Sequence, residues 1–292
     1  MMEILHTIDV PGWDGPFAAD VRSAACEALE SGRILFLPHL GFALETGERA
    51  LLTPEVSNGK SKNVSLKPSG EIAGSSSTGN AAQLLKTMMA RFAESATGLV
   101  ESLMPAYAPH LERASTSYRP VEIAGRPASA VHDDTRLHVD AFPSRPTRGR
   151  RILRLFSNIH PTGDPRVWRV GEPFEQMARR FLPGAREGLR AHAWMLSRLG
   201  VTKGMRSAYD GLMLGLHDGA KRDEQYQRHS PQTEIALPAG STWICYTDQV
   251  MHAATAGQFV LEQTFHLDVR AMVMPERCPL RVLERLRGRA LA

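Results

Sequence analysis

Two blocks of strand-like segments, divided by a helical stretch, constrain the fold of this chain more than any other feature. Short segments rich in β-branched and aromatic residues, bounded by Gly and Pro, are typical of β-strands. On this basis strands are predicted at 116–123, 136–141 and 152–159, and again at 234–237, 242–246 and 259–269. The pattern indicates one β-structure whose two halves are separated in the sequence.

Helical spacing of apolar residues surrounds and interrupts these blocks. It predicts one helix over 18–31, followed by a short strand at 34–37, and a long helix from Asn80, an N-cap residue type, to the next proline. A helical insertion is predicted over about 165–230. Because neither a repeat nor a linker is evident, residues 1–292 are interpreted as a single domain with this insertion.

The composition is that of an ordinary globular protein, with 42% hydrophobic and 23% charged residues among 292. No apolar run approaches the roughly 18 residues needed to cross a bilayer, and the N-terminus lacks the pattern of a signal peptide. Three scattered cysteines are too few for a disulfide framework or a thiolate metal cluster. We therefore expect a protein of the reducing cytoplasm.

The chain is mildly basic, with a formal charge of +4 and a pI near 9.1. This excess suits an anionic substrate or an acidic membrane surface. No pattern typical of a nucleic-acid-binding module is present, so nucleic acid is not a predicted partner. The polar, Gly/Ser-rich segment 57–80 carries Lys60, Lys62 and Lys67. It is interpreted either as a substrate lid or as a disordered surface loop, and the sequence leaves both open.

His138-Val139-Asp140 and the distant His252 form the pattern with the clearest chemistry. On a strand, His138 and Asp140 point to one side and Val139 points into the core. A strand pair that brought His252 beside them would complete a triad of two His and one carboxylate. Such a triad holds Fe(II) on one face and leaves positions for 2-oxoglutarate and O₂. These three residues are therefore the predicted metal ligands and catalytic residues.

The bare His-x-Asp pattern occurs three times, so two alternatives exist. Choosing His132 and Asp134 would turn the charge of Asp133 toward the core, which is costly. Choosing His266 and Asp268 would reverse the usual order of the motif and its distal histidine. The first set is preferred, although spacing alone also allows surface histidines without a shared role.

The distal carboxylate of 2-oxoglutarate requires a cation. Many oxygenases place an Arg shortly beyond the distal histidine, but the matching segment 257–261 contains none. Other branches supply the cation from the strand after the His-x-Asp motif. Arg154 lies there among apolar neighbours, and a bidentate carboxylate is the best partner for such an Arg. Arg154 is therefore the predicted cosubstrate-binding residue and Arg119 the second candidate, while a structural ion pair stays open for either.

Three stretches carry a resemblance to a known family: HDDTRLHVDAFPS at 132–144, RLFSNIHP at 154–161 and GSTW at 240–243. The first is specific and the other two support it. From about residue 30 to 275 the chain resembles the bacterial Kdo hydroxylases. Kdo is 3-deoxy-D-manno-oct-2-ulosonic acid, a sugar of the inner core of lipopolysaccharide.

The resemblance implies a double-stranded β-helix (jelly-roll, cupin-like) core within an α+β, mainly β chain, with flanking and inserted helices. It implies Fe(II), O₂ and the cosubstrate 2-oxoglutarate, which is decarboxylated to succinate and CO₂. The implied reaction is hydroxylation of C3 of a Kdo sugar in Kdo-lipid A, a lipopolysaccharide precursor, to give Ko. The iron ligands carry over onto His138, Asp140 and His252, whereas the substrate pocket does not.

Two other functions fit the same motifs. The first is an oxygenase of the same chemistry acting on another small molecule or on a protein. The second is a cupin-like, metal-dependent sugar isomerase or binding protein, which would not need a buried cation for 2-oxoglutarate.

A peripheral contact with the cytoplasmic face of the anionic inner membrane is a further hypothesis. The C-terminal segment 276–292 carries five arginines against two glutamates, with Leu280, Leu283 and Leu286 spaced for one helical face. The alternative is a helix packed on the domain. A second basic cluster follows the motif and faces either the anions of the substrate or solvent: Arg145, Arg148, Arg150 and Arg151.

Overall fold

A large and a small β-sheet, flanked by helices, make up the structure. The computed structural model describes residues 3–126, 128–187, 198, 200 and 202–292. Its strands are β1 (Leu5–Thr7), β2 (Ile34–Leu37), β3 (Val64–Leu66), β4 (Ile72–Ala73), β5 (Leu111–Arg119), β6 (Arg151–Asn158), β7 (Arg166–Val170), β8 (Thr233–Leu237), β9 (Thr242–Tyr246), β10 (His252–Ala256) and β11 (Val260–Leu267). Its helices are α1 (Ala19–Glu30), α2 (Gly79–Leu103), α3 (Phe174–Phe181), α4 (Ala208–Arg222), α5 (Glu224–His229) and α6 (Pro279–Arg287). The class is mixed α+β.

The large sheet has eight strands in the order β1-β2-β9-β6-β11-β5-β3-β4, and the small sheet has the order β10-β7-β8. All neighbouring strands are antiparallel except the edge pair β1 and β2. The sheets therefore combine strands from both halves of the chain, as the separated β-rich blocks predicted.

Alternation along the central strands gives the large sheet two different faces. On β6, Leu153 and Leu155 join the apolar core, while Arg154 and Phe156 line a cavity on the other side. Helices α1 and α2 pack on the apolar face. The apolar stripe of α2 is buried, and its N-cap is Thr78 rather than the predicted Asn80. The opposite face is thereby left for the small sheet and the cavity.

Several predicted elements differ from the structure. The segment 136–141 is not a strand, because only His138 makes an isolated bridge there. The strand predicted at 116–123 lies earlier, at β5. The predicted helical insertion at 165–230 contains α3, α4 and α5 but begins with strand β7. The part of that prediction that falls on 188–197, 199 and 201 lies outside the described residues.

The C-terminal segment packs on the protein rather than presenting an apolar face. Leu280 and Leu283 of α6 are buried and Leu286 packs against the same core. Arg285 pairs with Glu175 at 2.6 Å. The leucines thus complete the interior, which favours the alternative of a helix packed on the domain. Within the described part of the chain, no helix combines the length and the apolar character needed to cross a bilayer.

A buried ion pair holds the turn between β9 and β10. Arg151 is 0% exposed, and its Nε and Nη2 lie 2.8 and 3.1 Å from the two carboxylate oxygens of Asp248. Nη2 also donates to Gln249 Oε1 at 2.7 Å. This turn leads directly into His252, so the pair fixes the start of β10.

We expect Asp248→Ala to lower the free energy of unfolding by about 3–5 kcal/mol, because it leaves the Arg151 guanidinium buried without a counter-charge. Urea unfolding measures the loss. Asp268→Ala is the matched control, since its partner Arg270 is exposed and such pairs contribute at most about 1 kcal/mol. Equal losses in the two variants would contradict a special role for the buried pair.

Candidate metal centre and active-site cavity

A cavity of about 740 Å³ lies between the two sheets. Alternate residues of β5, β6 and β11 line it from the large sheet, and residues of β7 and β10 line it from the small sheet. Helix α4, the segment 131–145 and the hairpin formed by β3 and β4 contribute further lining residues. Lys62 and Lys67 of the segment 57–80 are among the lining residues, so this segment borders the cavity, as the lid interpretation requires.

His138, Asp140 and His252 meet in this cavity. Their candidate ligand atoms all lie within 4.8 Å of one another, and His138 Nε2 is 3.6 Å from Asp140 Oδ1. The two imidazole rings are 4.6 Å apart between centroids. In the described ranges no other group of three His, Cys, Asp or Glu residues shows this arrangement.

Backbone hydrogen bonds explain how residues so far apart in sequence are aligned. The His138 N–H donates to the His252 carbonyl at 3.0 Å, and the His252 N–H donates back at 2.9 Å. The Asp140 N–H instead donates to the Thr247 carbonyl at 2.8 Å. Because these partners belong to different segments, no continuous ladder forms. The backbone is still extended enough to bury Val139 completely and to turn His138 and Asp140 into the cavity.

Each imidazole is oriented by a carbonyl group of its own segment. His138 Nδ1 lies 2.7 Å from the Arg136 carbonyl, and His252 Nδ1 lies 2.8 Å from the Val250 carbonyl. A carbonyl can only accept, so Nδ1 carries the proton in both rings. Nε2 is then the free lone pair in each, which is the usual arrangement for a metal-bound histidine.

The environment favours the protonation states that bind metal. Burial lowers the pKa of His138, and burial together with the nearby His138 lowers the pKa of His252 to about 4. Burial opposes ionisation of Asp140, but the Arg154 guanidinium and His138 outweigh it and hold the Asp140 pKa well below its usual range. Neutral imidazoles and an ionised carboxylate are therefore present at neutral pH.

The alternative His-x-Asp pairs are not assembled in this way. Asp134 pairs with Lys62 at 2.8 Å, and His132 contacts Ser129. Asp268 pairs with a neighbouring arginine on the surface, whereas His266 lines the cavity outside the three-residue group.

Arg154 and Arg119 both line the cavity, and both engage Glu262. Arg154 Nη1 is 2.9 Å from Glu262 Oε1, and its Nη2 is 3.0 Å from Asp140 Oδ2. Arg119 donates to Glu262 Oε2 through Nε at 3.0 Å and Nη2 at 2.5 Å. The buried Nε of Arg154 has no hydrogen-bond partner in the described part of the protein. Arg154 therefore retains a free donor, whereas Arg119 is the better satisfied of the two.

Arg166 on β7 is a third cavity cation, which the sequence analysis missed. It is 3% exposed and donates to the Gly257 carbonyl at 2.5 Å, yet no carboxylate in the described residues lies within ion-pair distance. Burial, with the like charge of Arg119, lowers the Arg166 pKa to about 9. The alternation Arg166-Val-Trp168-Arg-Val170, all three named residues buried, was the signal that could have revealed it.

Trp168, on the same strand β7, was also missed by the sequence analysis. Its indole stacks on the His252 ring, with centroids 5.0 Å apart and planes 26° apart. Trp168 lines the cavity, and its buried Nε1 has no hydrogen-bond partner among the described residues. The stacking fixes the plane of one predicted ligand.

The basic cluster after the motif is divided among different roles. Only Arg145 lines the cavity. Arg148 donates to the Met205 carbonyl, Arg150 pairs with Glu112, and Arg151 forms the buried pair described above. Of the four, Arg145 alone is therefore placed where it could meet an anion in the cavity.

Two histidines and one carboxylate on the wall of a basic cavity are the arrangement expected of a mononuclear, facial-triad metal centre. This donor set, with positions left open, is the one used by non-haem Fe(II) oxygenases.

Comparison with known proteins narrows this class. A family model described as 3-deoxy-D-manno-oct-2-ulosonic acid (Kdo) hydroxylase matches residues 13–290. The chain belongs to the Kdo hydroxylase family. The resemblance found in the sequence is thereby confirmed, and with it the predicted enzyme class. A search of the curated proteins found no match.

Solved structures of the Kdo hydroxylase KdoO, a non-haem Fe(II) α-ketoglutarate-dependent dioxygenase, are similar over the whole fold. Its complex with α-ketoglutarate and Fe(III) is 46% identical, with a TM-score of 0.95, covering 99% of this chain and 98% of that chain. Its cobalt(II) complex is 47% identical, with a TM-score of 0.95 and coverage of 99% and 97%. Its complex with succinate and Fe(III) is 46% identical, with a TM-score of 0.94 and the same coverage as the cobalt complex.

Proposed function

We propose that this protein is a Kdo hydroxylase that inserts one oxygen atom at C3 of a Kdo sugar in Kdo-lipid A. Fe(II) would be held by His138, Asp140 and His252, with 2-oxoglutarate and O₂ as cosubstrates. The observation that carries the proposal is the triad itself, assembled on the wall of a cavity that also contains the buried guanidinium of Arg166, which has no ion-pair partner among the described residues.

The donor set fits Fe(II). Two neutral Nε2 atoms and one carboxylate suit a borderline cation and occupy one face of its octahedron. Asp140 Oδ2 is buried without a hydrogen bond in the described structure, although the Arg154 guanidinium lies 3.0 Å away. When bound, Fe(II) supplies the O₂ activation that couples oxidative decarboxylation of 2-oxoglutarate to hydroxylation. Trp168 stacks on His252 and Arg154 neutralises part of the Asp140 charge, so both keep the ligands in place.

The arginine wall provides the site for the distal carboxylate of 2-oxoglutarate. Arg119, Arg154 and Arg166 bring three positive charges, against the single carboxylate of Glu262 and the metal ligand Asp140. Among the described residues, Arg166 has no carboxylate within ion-pair distance and the Nε of Arg154 has no hydrogen-bond partner, whereas Glu262 accepts two hydrogen bonds from Arg119. We therefore assign the distal carboxylate to Arg166 and Arg154, and assign Arg119 to holding Glu262. Arg166 thus joins the predicted Arg154 and replaces Arg119.

The fold supports the same class. We infer that the small sheet and the strands β5, β6, β9 and β11 of the large sheet are the two faces of a double-stranded β-helix within a single domain. The antiparallel pairing and a metal site between the sheets support this interpretation.

The cellular setting follows from a lipid-anchored substrate. The proposed site of action is the cytoplasmic face of the inner membrane. With its leucines buried, the segment 276–292 can contribute to such a contact only through its arginines, several of which are already paired with glutamates. A charge-only contact would weaken with salt.

The test is incubation of the purified protein with Kdo-lipid A, Fe(II), 2-oxoglutarate and ¹⁸O₂. We expect one labelled oxygen atom in the Kdo residue and one succinate for each product. Fragmentation of the sugar by mass spectrometry locates the oxygen at C3. Succinate without sugar oxidation in any Kdo substrate would favour an oxygenase acting on another molecule. Absence of succinate under all conditions would favour a cupin-like isomerase or binding protein.

A further inference from the structure

Two lysines and one aspartate form a second charged wall of the cavity, in addition to the arginine wall. Asp134 Oδ1 lies 2.8 Å from Lys62 Nζ and 3.8 Å from Lys221 Nζ. Lys62 precedes β3, Lys221 belongs to the last turns of α4, and Asp134 belongs to the segment before His138. One carboxylate between two ammonium groups leaves this lysine wall with a net charge of about +1.

Of the two lysines, Lys221 has fewer hydrogen-bond partners. It is 2% exposed, and its Nζ donates one hydrogen bond, to the Val131 carbonyl at 3.3 Å. Its distance to Asp134 exceeds that of a hydrogen bond. An ammonium group has three N–H donors, and a buried charge with an incomplete set of partners is costly. Within the described structure, Lys221 therefore has donors left for an anion in the cavity.

The lysine wall adjoins the metal ligands from the side of helix α4. His217, one turn before Lys221, packs edge-on against His138 with ring centroids 5.4 Å apart. Both α4 residues line the cavity. The arginine wall, in contrast, adjoins the metal site through Arg154 and Asp140. Two anions can thus be held beside the metal at once, one on each wall.

Building on the proposed function, we propose that Lys221, assisted by Lys62, binds the C1 carboxylate of the Kdo sugar. In a 2-ulosonic acid only C2 separates this carboxylate from C3. An anchored carboxylate therefore confines C3 to the space beside His138, where the oxygen atom is inserted. The lysine wall selects an acidic sugar, and the arginine wall is left to the cosubstrate.

A change of one functional group on the substrate tests this assignment. Two Kdo glycosides are compared, one with a free C1 carboxylate and one with a C1 carboxamide. We expect the wild-type enzyme to favour the carboxylate by at least about 30-fold in kcat/KM, the effect of losing one partner of a buried charge pair. Lys221→Met should lose this preference, because Met fills a similar volume without charge. Its Kd for 2-oxoglutarate, measured anaerobically with Fe(II), should stay unchanged.

Matched variants separate binding from structure. Lys67→Met is the control, since Lys67 borders the same cavity but pairs with Glu71, and it should keep the carboxylate preference. Lys221→Arg should retain part of the preference. If circular dichroism shows that Lys221→Met does not fold, the carboxylate preference is measured in Lys62→Met instead. The Lys62 side chain is 40% exposed, so its replacement should leave the fold intact.

Each outcome has one meaning. A folded Lys221→Met enzyme that still prefers the carboxylate overturns the assignment, whether or not its binding of 2-oxoglutarate is weakened. If Lys221→Met does not fold and Lys62→Met is used instead, an unchanged carboxylate preference in Lys62→Met also overturns the assignment. A wild-type protein that hydroxylates neither glycoside nor Kdo-lipid A would instead contradict the proposed function.

Discussion

Replacing His252 with alanine is expected to abolish hydroxylation and to lower the affinity for Fe(II) by more than about 100-fold. Groups that only support a metal ligand typically contribute about 10–100-fold in affinity, so loss of a ligand should cost more. The same result is expected for alanine at His138 or Asp140, since two protein ligands cannot hold the cation in its facial geometry. Anaerobic titration with Fe(II), and with Co(II) as an oxygen-insensitive probe, measures the affinity directly.

His266→Ala is the matched control for this prediction. His266 lines the same cavity but lies outside the three-residue group, so its loss should leave metal affinity within a few-fold of wild type. Thermal unfolding of each variant shows whether a lost affinity reflects a lost fold. Stoichiometric Fe(II) in the His252→Ala protein, with near-normal turnover, would mean that the triad is wrong.

Replacing Arg166 with methionine is expected to raise the Kd for 2-oxoglutarate by at least about 30-fold, because a buried carboxylate would lose one charged partner. Arg154→Met should have a similar effect. Neither Arg166→Lys nor Arg154→Lys should restore binding, since Lys lacks the planar fork that matches a carboxylate. Titration of the Fe(II)-loaded protein with 2-oxoglutarate measures Kd apart from turnover.

The controls follow from the position of each arginine. Arg113→Met, on the exposed part of β5, should not change Kd. Arg119→Met should act mainly by releasing Glu262, so a smaller effect is expected. An Arg119 variant that weakens 2-oxoglutarate more than the Arg166 and Arg154 variants would reverse our assignment.

Part of the three-residue cluster could be predicted from the sequence because the pattern of His138 and Asp140 is short and local. His138 and Asp140 need only three residues of extended backbone to share a side, and Val139 between them is buried as alternation demands. His252 could be chosen only through the order of the motif and the family resemblance. Its actual register with His138 depends on hydrogen bonds across 114 residues of sequence, 252 minus 138, which no local pattern encodes.

The rest of the cavity was less accessible to sequence reasoning. Arg166 and Trp168 were overlooked because a five-residue strand was absorbed into a helical stretch, although its period of two was visible. The Lys221 contact with Asp134 depends on how α4 packs over the motif segment. Such a contact is set by tertiary packing, so helical periodicity alone could place Lys221 on a face but could not name its partner.

The reciprocal hydrogen bonds between the backbones of His138 and His252 mean that these two proposed metal ligands are held side by side by the polypeptide itself. His138 and His252 are brought together when this isolated backbone bridge forms, so the ordering entropy of the two residues is lost during folding. The Gln227 side chain adds to this rigidity, since it donates to the carbonyl of Leu137 and accepts from its N–H. Uptake of Fe(II) at these residues would then require little further ordering of the main chain.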